Sequence, residues 1–450
     1  MLWERAATAA VTNADWALAI ELAGRARDYH LQHGQARAAA RARAIAGLAL
    51  RRWGRLADAR EQLTAAIEVL RAEPDTDTVR ALDQLVSVEI FAGSADADGL
   101  SAEALSLGQA LGVGDGELSR LLEGRGVYLQ NISRRPEAAA YLRESARLAD
   151  QAGDSTRLGM ALLNLADNLA ATDPKAAAET ARAAAGHLRR VGERDSLAWA
   201  IGNLAMALVM LGDWDGADAE LTQAADSDGL ADIEYLAFLR GWLAALRGDA
   251  AAAHAMLSQL ADLRASEDVQ DQALISLAEG FTASARRQPQ AALGHARAVL
   301  ACADALGISH EVMRSAWPLA ARAAHDLRDI ATVGELLTLL DDYQAGHLAP
   351  MLRAERHLAR ARLAVGDGGP AATAAFAAAV SSLRELSTPY HLAHGLLDYA
   401  QYLTHSGDAE GGTAAIQEAR DIAGRLRCQP LLDRAAILTH TGPAVPADRA

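Results

Sequence analysis

Lysine is nearly missing from this chain: among 43 basic residues only Lys175 is one. That removes a phosphate-binding loop, because GxxxxGK[ST] needs its lysine and Lys175 lies in TDPKAAAE, with no glycine beside it. Cysteine is almost as scarce. Cys302 and Cys428 form no CxxC pair, which excludes a disulfide framework and a cysteine-built zinc site and fits a reducing compartment. Aromatics make up 4% of the residues and prolines number 11, so the core is aliphatic and the chain is not linker-like. There is no basic run, and the net charge of −15 argues against nucleic acid, whose phosphates need a clustered cationic face. Long apolar runs are also lacking: LAWAIGNLAMALVML (197–211) contains Asn203 and is too short to cross a bilayer. MLWERAATAA is not a signal-peptide start, so the expectation is a soluble cytoplasmic protein without a membrane segment.

What the chain does have is alanine and leucine at helical spacing, which points to an all-α fold. It also repeats itself. In LRRWGRLADAREQLTAAI, Gly54 is followed by Ala59, Leu63 and Ala66; in MLGDWDGADAELTQAA, Gly212 is followed by Ala217, Leu221 and Ala224. The same layout recurs from marks at 14, 54, 93, 133, 172, 212, 248, 287, 328, 366 and 407, at intervals of 36 to 41 residues with a mean of 39.3. Seven residues before most marks stands a small residue, including Gly47, Gly126, Gly241 and Gly280. A glycine inside a helix costs about 1 kcal/mol against alanine, so its recurrence predicts close helix crossings. For Gly47 the expected contact is Ala59. The mark itself should end one helix and start the next.

This layout resembles the tetratricopeptide repeat, whose pattern is matched by Leu204-Ala205, Leu208, Trp214, Ala217, Leu221 and Ala224, with Trp317 at a first-helix tryptophan position. The resemblance implies an α-α superhelix, right-handed, of about eleven helix pairs and 22 helices, with residues 1–440 as one solenoid and 441–450 as a flexible Pro/Ala-rich tail. A HEAT-like array, whose period also reaches about 40, is the alternative. The long period and the closing stretch STPYHLAHGLLDYAQYLTHSGDAEGGTAAIQEARDIAGRLRCQPLLDRA resemble the C-terminal arrays of large bacterial signalling ATPases, which accompany nucleotide cyclases or LuxR-type DNA-binding domains. No ATPase, cyclase or DNA-binding motif lies in these 450 residues.

No residue pattern calls for catalysis, a cofactor or a metal. His391 and His394, like His30 and His33, lack companion ligands at metal spacing and read as satisfied surface histidines; GVGDGE (112–117) reads as a helix–helix turn. The candidate binding residues are Asn164, Trp199, Asn203 and Trp242, placed by the repeat register on the first helices that line a groove. An asparagine offers a donor and an acceptor to an extended peptide, as it does in related repeats. The competing reading has these amides bonding to helix ends and the tryptophans packing between repeats. The functional expectation is a non-catalytic protein- or peptide-binding scaffold or regulatory sensor, its partner basic or mixed in charge. The alternative is a small-molecule inducer sensor. An open groove would favour the first, an enclosed apolar cavity with a few polar groups the second.

Overall fold

The structure is a computed structural model that describes residues 2–13, 15–266, 268–365 and 369–440. The repeat marks Ala14 and Gly366 and the 441–450 tail lie outside them. Among the described residues there are 25 α-helices, one short 3-10 helix and no strand. The fold is all-α, built from successive helix hairpins. The excess over 22 comes from three helices outside the pairing: Ala261–Ala265, Ala303–Leu306 and Gln429–His440.

The hairpin turns follow from residue chemistry at the marks. Gly54, Gly93, Gly212, Gly248 and Gly407 adopt positive φ, which glycine reaches without a Cβ penalty. Ser133, Arg287 and Arg328 take the same left-handed conformation at φ 64°, 57° and 58° despite carrying side chains. One residue after many marks stands an aspartate that caps the second helix. Asp15, Asp173, Asp213, Asp249, Asp329 and Asp408 each accept from the backbone N–H three residues on, at 2.9–3.1 Å. Each such cap contributes about 1 kcal/mol and fixes where the second helix begins.

The small residues before the marks do sit at close crossings, with one correction. A Cβ at Gly47 would stand 2.6 Å from Leu63 Cγ, so its nearest neighbour is Leu63, one turn past the expected Ala59. Gly126 meets Leu142 in the same way, at 2.7 Å. A Cβ at Gly126, Gly241 or Gly280 would also come within 3.4–3.7 Å of the backbone carbonyl of Ala138, Ala253 or Ala292. The glycine therefore admits a large side chain from the facing helix while two backbones approach.

The chain divides into two compact units, 1–165 and 166–450. In the first, the main packings join helices one or two apart in sequence, such as Ala36–Arg52 with Leu56–Leu70 and with Thr76–Phe91. Its core runs through Leu63, Ile67, Leu70, Leu82 and Leu121. The second unit adds packings between distant helices. Pro389–Ser406 touches Arg194–Leu211, and Gln429–His440 touches Glu234–Arg247. At this seam Gly248 lies against Pro430 and Gly212 against Pro389, where a Cβ would come within 2.7–2.9 Å of the proline rings. The Cys428 thiol donates to Leu246 O at 3.1 Å. Arg427 pairs with Asp215 and Arg287 with Asp433, each at 2.9 Å. The second unit closes on itself. No described helix is long and apolar enough to cross a membrane.

Candidate functional site in the second unit

Closure leaves an apolar cavity of about 50 Å³, incompletely enclosed, inside the second unit. One wall comes from Met206, Val209, Met210, Trp214, Trp242 and Leu246; Met351, Thr388, Tyr390 and His391 face it. Phe281, Glu311, Arg314 and Ser315 complete the lining. Helices nearly 200 residues apart in sequence therefore build one site.

Three buried tryptophans show what is special here. Trp214 Nε1 donates to Val209 O at 3.1 Å, and Trp317 Nε1 to Leu336 O at 2.9 Å. Trp242 is 7% exposed and lies edge-on to Phe281, yet its Nε1 finds no acceptor among the described residues. Arg314 is in the same condition. It is 3% exposed, its Nε has no acceptor, and its Nη1 rests 3.7 Å from the Met210 sulfur, a weak one. Burial disfavours the charge on Arg314, and Asp167 and Glu311 oppose that loss through their fields. A buried donor without an acceptor costs about 1–3 kcal/mol, more when charged, so two such donors on residues that line one cavity mark it as a place where an acceptor would fit.

Beside the cavity lies a network of buried charges. His391 Nδ1 stands 2.7 Å from Glu355 Oε1 and 2.5 Å from Arg322 Nη2, and Arg322 reaches Glu355 at 2.7 Å. The Arg322 guanidinium also covers the Tyr390 ring, 5.4 Å from its centroid. Burial opposes ionisation of Glu355, but Arg322 and then His391 outweigh it and hold the carboxyl down at about 2. Burial and Arg322 push His391 below the usual imidazole range. His391, like His30, is thus a buried histidine, not the surface residue its sequence suggested. Glu355 approaches it from another helix, but no group of three or more potential metal ligands forms among the described residues. Among the described residues no hydroxyl donates to the His391 ring, and burial pushes the Cys428 thiol up to about 12, away from an activated thiolate.

Of the four residues singled out by sequence, Trp242 alone lines the cavity. Trp199 stacks on Tyr235 at 4.0 Å, half-buried, and Asn203 is buried. Asn164 belongs to the first unit, where its Nδ2 donates to Glu123 Oε1 at 2.8 Å. It is part of a polar ladder on first helices. Arg157 stands 3.4 Å from Glu123, Arg120 3.2 Å from Asp83, and Arg51 donates to Gln84. Arg314 was not singled out. Its signal in EVMRSAWPLA is an arginine among apolar residues, which is faint in a chain whose cations are nearly all arginine.

No family model matches the chain, and no curated relative does. Solved structures do resemble it. The apo form of RapI is 14% identical over 58% of this chain and 95% of its own, with a TM-score of 0.48. The apo quorum sensor NprR from B. thuringiensis is 11% identical over 81% of this chain and 94% of its own, at 0.40. Yeast Tom70 is 11% identical over 98% and 95%, at 0.35. At such identities and scores the functional reading rests on the site alone.

Proposed function

We propose that this chain is a non-catalytic binding module of a bacterial signalling or transcription-regulatory system, and that it receives an apolar group of its partner inside the second unit. The observation that carries the reading is the pairing of Trp242 Nε1 and Arg314 Nε, buried donors without acceptors, in one apolar cavity. Small-molecule sites commonly measure about 300–1,000 Å³. A space of about 50 Å³ with an open side suits one side-chain-sized group whose remainder lies outside, which favours the end of a peptide or protein over a fully enclosed inducer. Three methionines line the walls, and their flexible thioethers let the cavity adjust around its occupant. Because the lining comes from both sides of the seam, an occupant would hold the closed form together, and closure is the element that a signal could bias.

The test is thermal unfolding of the full chain with short apolar alcohols, acids, amides and peptides ending in leucine, since a ligand that binds only the folded state raises Tm. Binding weakened by Trp242→Phe and untouched by Trp199→Ala is the expected outcome. Binding that depends on Trp199 instead, or no response to any apolar compound, refutes the site.

A further inference from the structure

The geometry points to the chemistry of that group: the cavity takes a carboxylate carried on a small apolar body, held by the Arg314 guanidinium and Trp242 Nε1. This deepens the reading above and rests on it. Both unpartnered atoms are donors, and neither side chain can accept a hydrogen bond, so the missing partner must be an acceptor. Trp242 asks for one oxygen. The guanidinium, a rigid planar fork, matches the two oxygens of a carboxylate better than a single carbonyl. Asp167 and Glu311 act on the Arg314 charge through their fields, but its direct neighbour is a thioether, and among the described residues no carboxylate oxygen lies within ion-pair distance of it. A ligand anion supplies what a neutral acceptor does not.

The walls define the rest of the ligand. Met206, Val209, Leu246, Phe281 and Met351 are apolar and exclude a polar body. Glu311, one turn before Arg314 and also at the cavity, sets an upper limit on negative charge. Asp167 and Glu311 already act on Arg314, so a phosphate or dicarboxylate would bring a second negative charge to a lining with no further arginine or lysine. Two sources carry this chemistry: a short branched fatty acid, and the C-terminal residue of a peptide ending in an aliphatic side chain.

Titration calorimetry on the full chain distinguishes them. The probes are 4-methylpentanoate, its amide, and N-acetyl-Lys-Ala-Leu as free acid and as carboxamide. At least one acid should bind saturably, with its amide weaker by roughly tenfold or more, the scale of a lost charged hydrogen bond. Arg314→Met should remove that preference, leaving acid and amide alike. Trp242→Phe, which keeps an aromatic body and removes the N–H, should weaken the acid several-fold and serves if Arg314→Met fails to fold. Binding of the peptide acid alone assigns the site to peptide ends, and of 4-methylpentanoate alone to free acids; either supports the carboxylate. An amide that binds as tightly as its acid, or acid affinity unchanged in both variants, overturns the carboxylate while leaving an apolar binding site in place. If acids and amides all fail to bind, the proposed binding site falls with it.

Discussion

The two units are written in one repeat and end differently. In the first, helices are held by those next to or next but one to them. In the second, Pro389–Ser406 and Gln429–His440 come back to segments about 150 to 200 residues earlier, fastened there through Pro389, Cys428, Pro430 and Asp433. A nearest-neighbour array loses stability locally and can fray from an end. A closed one shares its losses, since each part of the ring supports contacts far away in sequence. The difference also decides where a site can form. The first unit's first helices carry a ladder of ion pairs, while closure in the second brings Trp242 and Arg314, each with a buried N–H that has no acceptor, to the lining of one cavity.

The largest expected effects lie at the seam. Trp214 is 1% exposed and touches Tyr390 across it, with ring centroids 5.7 Å apart. Trp214→Ala should destabilise the second unit by about 3–5 kcal/mol, the usual cost of a deleted core aromatic. In denaturant unfolding followed by amide exchange, protection should fall both around 197–226 and in the distant 389–406 helix. Loss confined to the first of these segments would show that the seam does not transmit stability. Glu355→Gln belongs to the same class, about 3–5 kcal/mol, because it leaves buried Arg322 without its carboxylate.

Acid should separate the two units. Glu355 is held at about 2, below its unfolded value of 4.5, and buried His391 is held below 6.5. For both groups the unfolded chain binds more protons, so the second unit loses stability as pH falls from 6.5 towards 2. The net shift is opposite in the first unit: there burial wins and pushes Asp83 and Glu123 above the usual carboxylate range despite Arg120 and Arg157. Their folded forms hold protons longer than the unfolded chain, so the penalty of burying them is relieved as pH drops towards 4.5. Amide exchange at pH 7 and pH 5, corrected for intrinsic rates, should show protection falling in the second unit relative to the first. Equal change in both would contradict this assignment.

A smaller and local effect is expected in the first unit. Gly47→Leu drives a side chain into Leu63 and should cost about 1–3 kcal/mol by overpacking. Protection should drop in 36–70 and stay unchanged in 389–440. Arg287→Ala is the smallest change. It removes an exposed seam ion pair to Asp433 and should alter stability by about 0–1 kcal/mol, detectable as a minor Tm shift that disappears at high salt.

The hairpins were legible in the sequence because their causes are local. A glycine at a left-handed turn, an aspartate cap one residue later and a small residue seven positions before the turn each act within one repeat, and the structure places Gly248, Asp249 and Gly241 in those roles. The Gly47 partner was missed by one turn because side-chain direction, which brings in Leu63, is not contained in spacing. Closure of the second unit was not legible at all. It accumulates from small rotations between successive repeats, none of which has a residue signature. Trp242, singled out for its rarity, lines the cavity of the proposal. Arg314 and Tyr390 were missed because only closure brings them together with it.

The most direct measurement is amide exchange at the two termini of the described chain. Leu2–Thr12 packs on the two helices that follow it, and Gln429–His440 packs on its neighbours and on Glu234–Arg247 far away in sequence. Closure requires that Gln429–His440 exchange as slowly as interior helices such as Glu234–Arg247, while Leu2–Thr12, packed only on helices next to it in sequence among the described residues, exchanges much faster. Equally fast exchange at both ends would mean that the second unit is an open array too, and that Trp242 and Arg314 do not share a site.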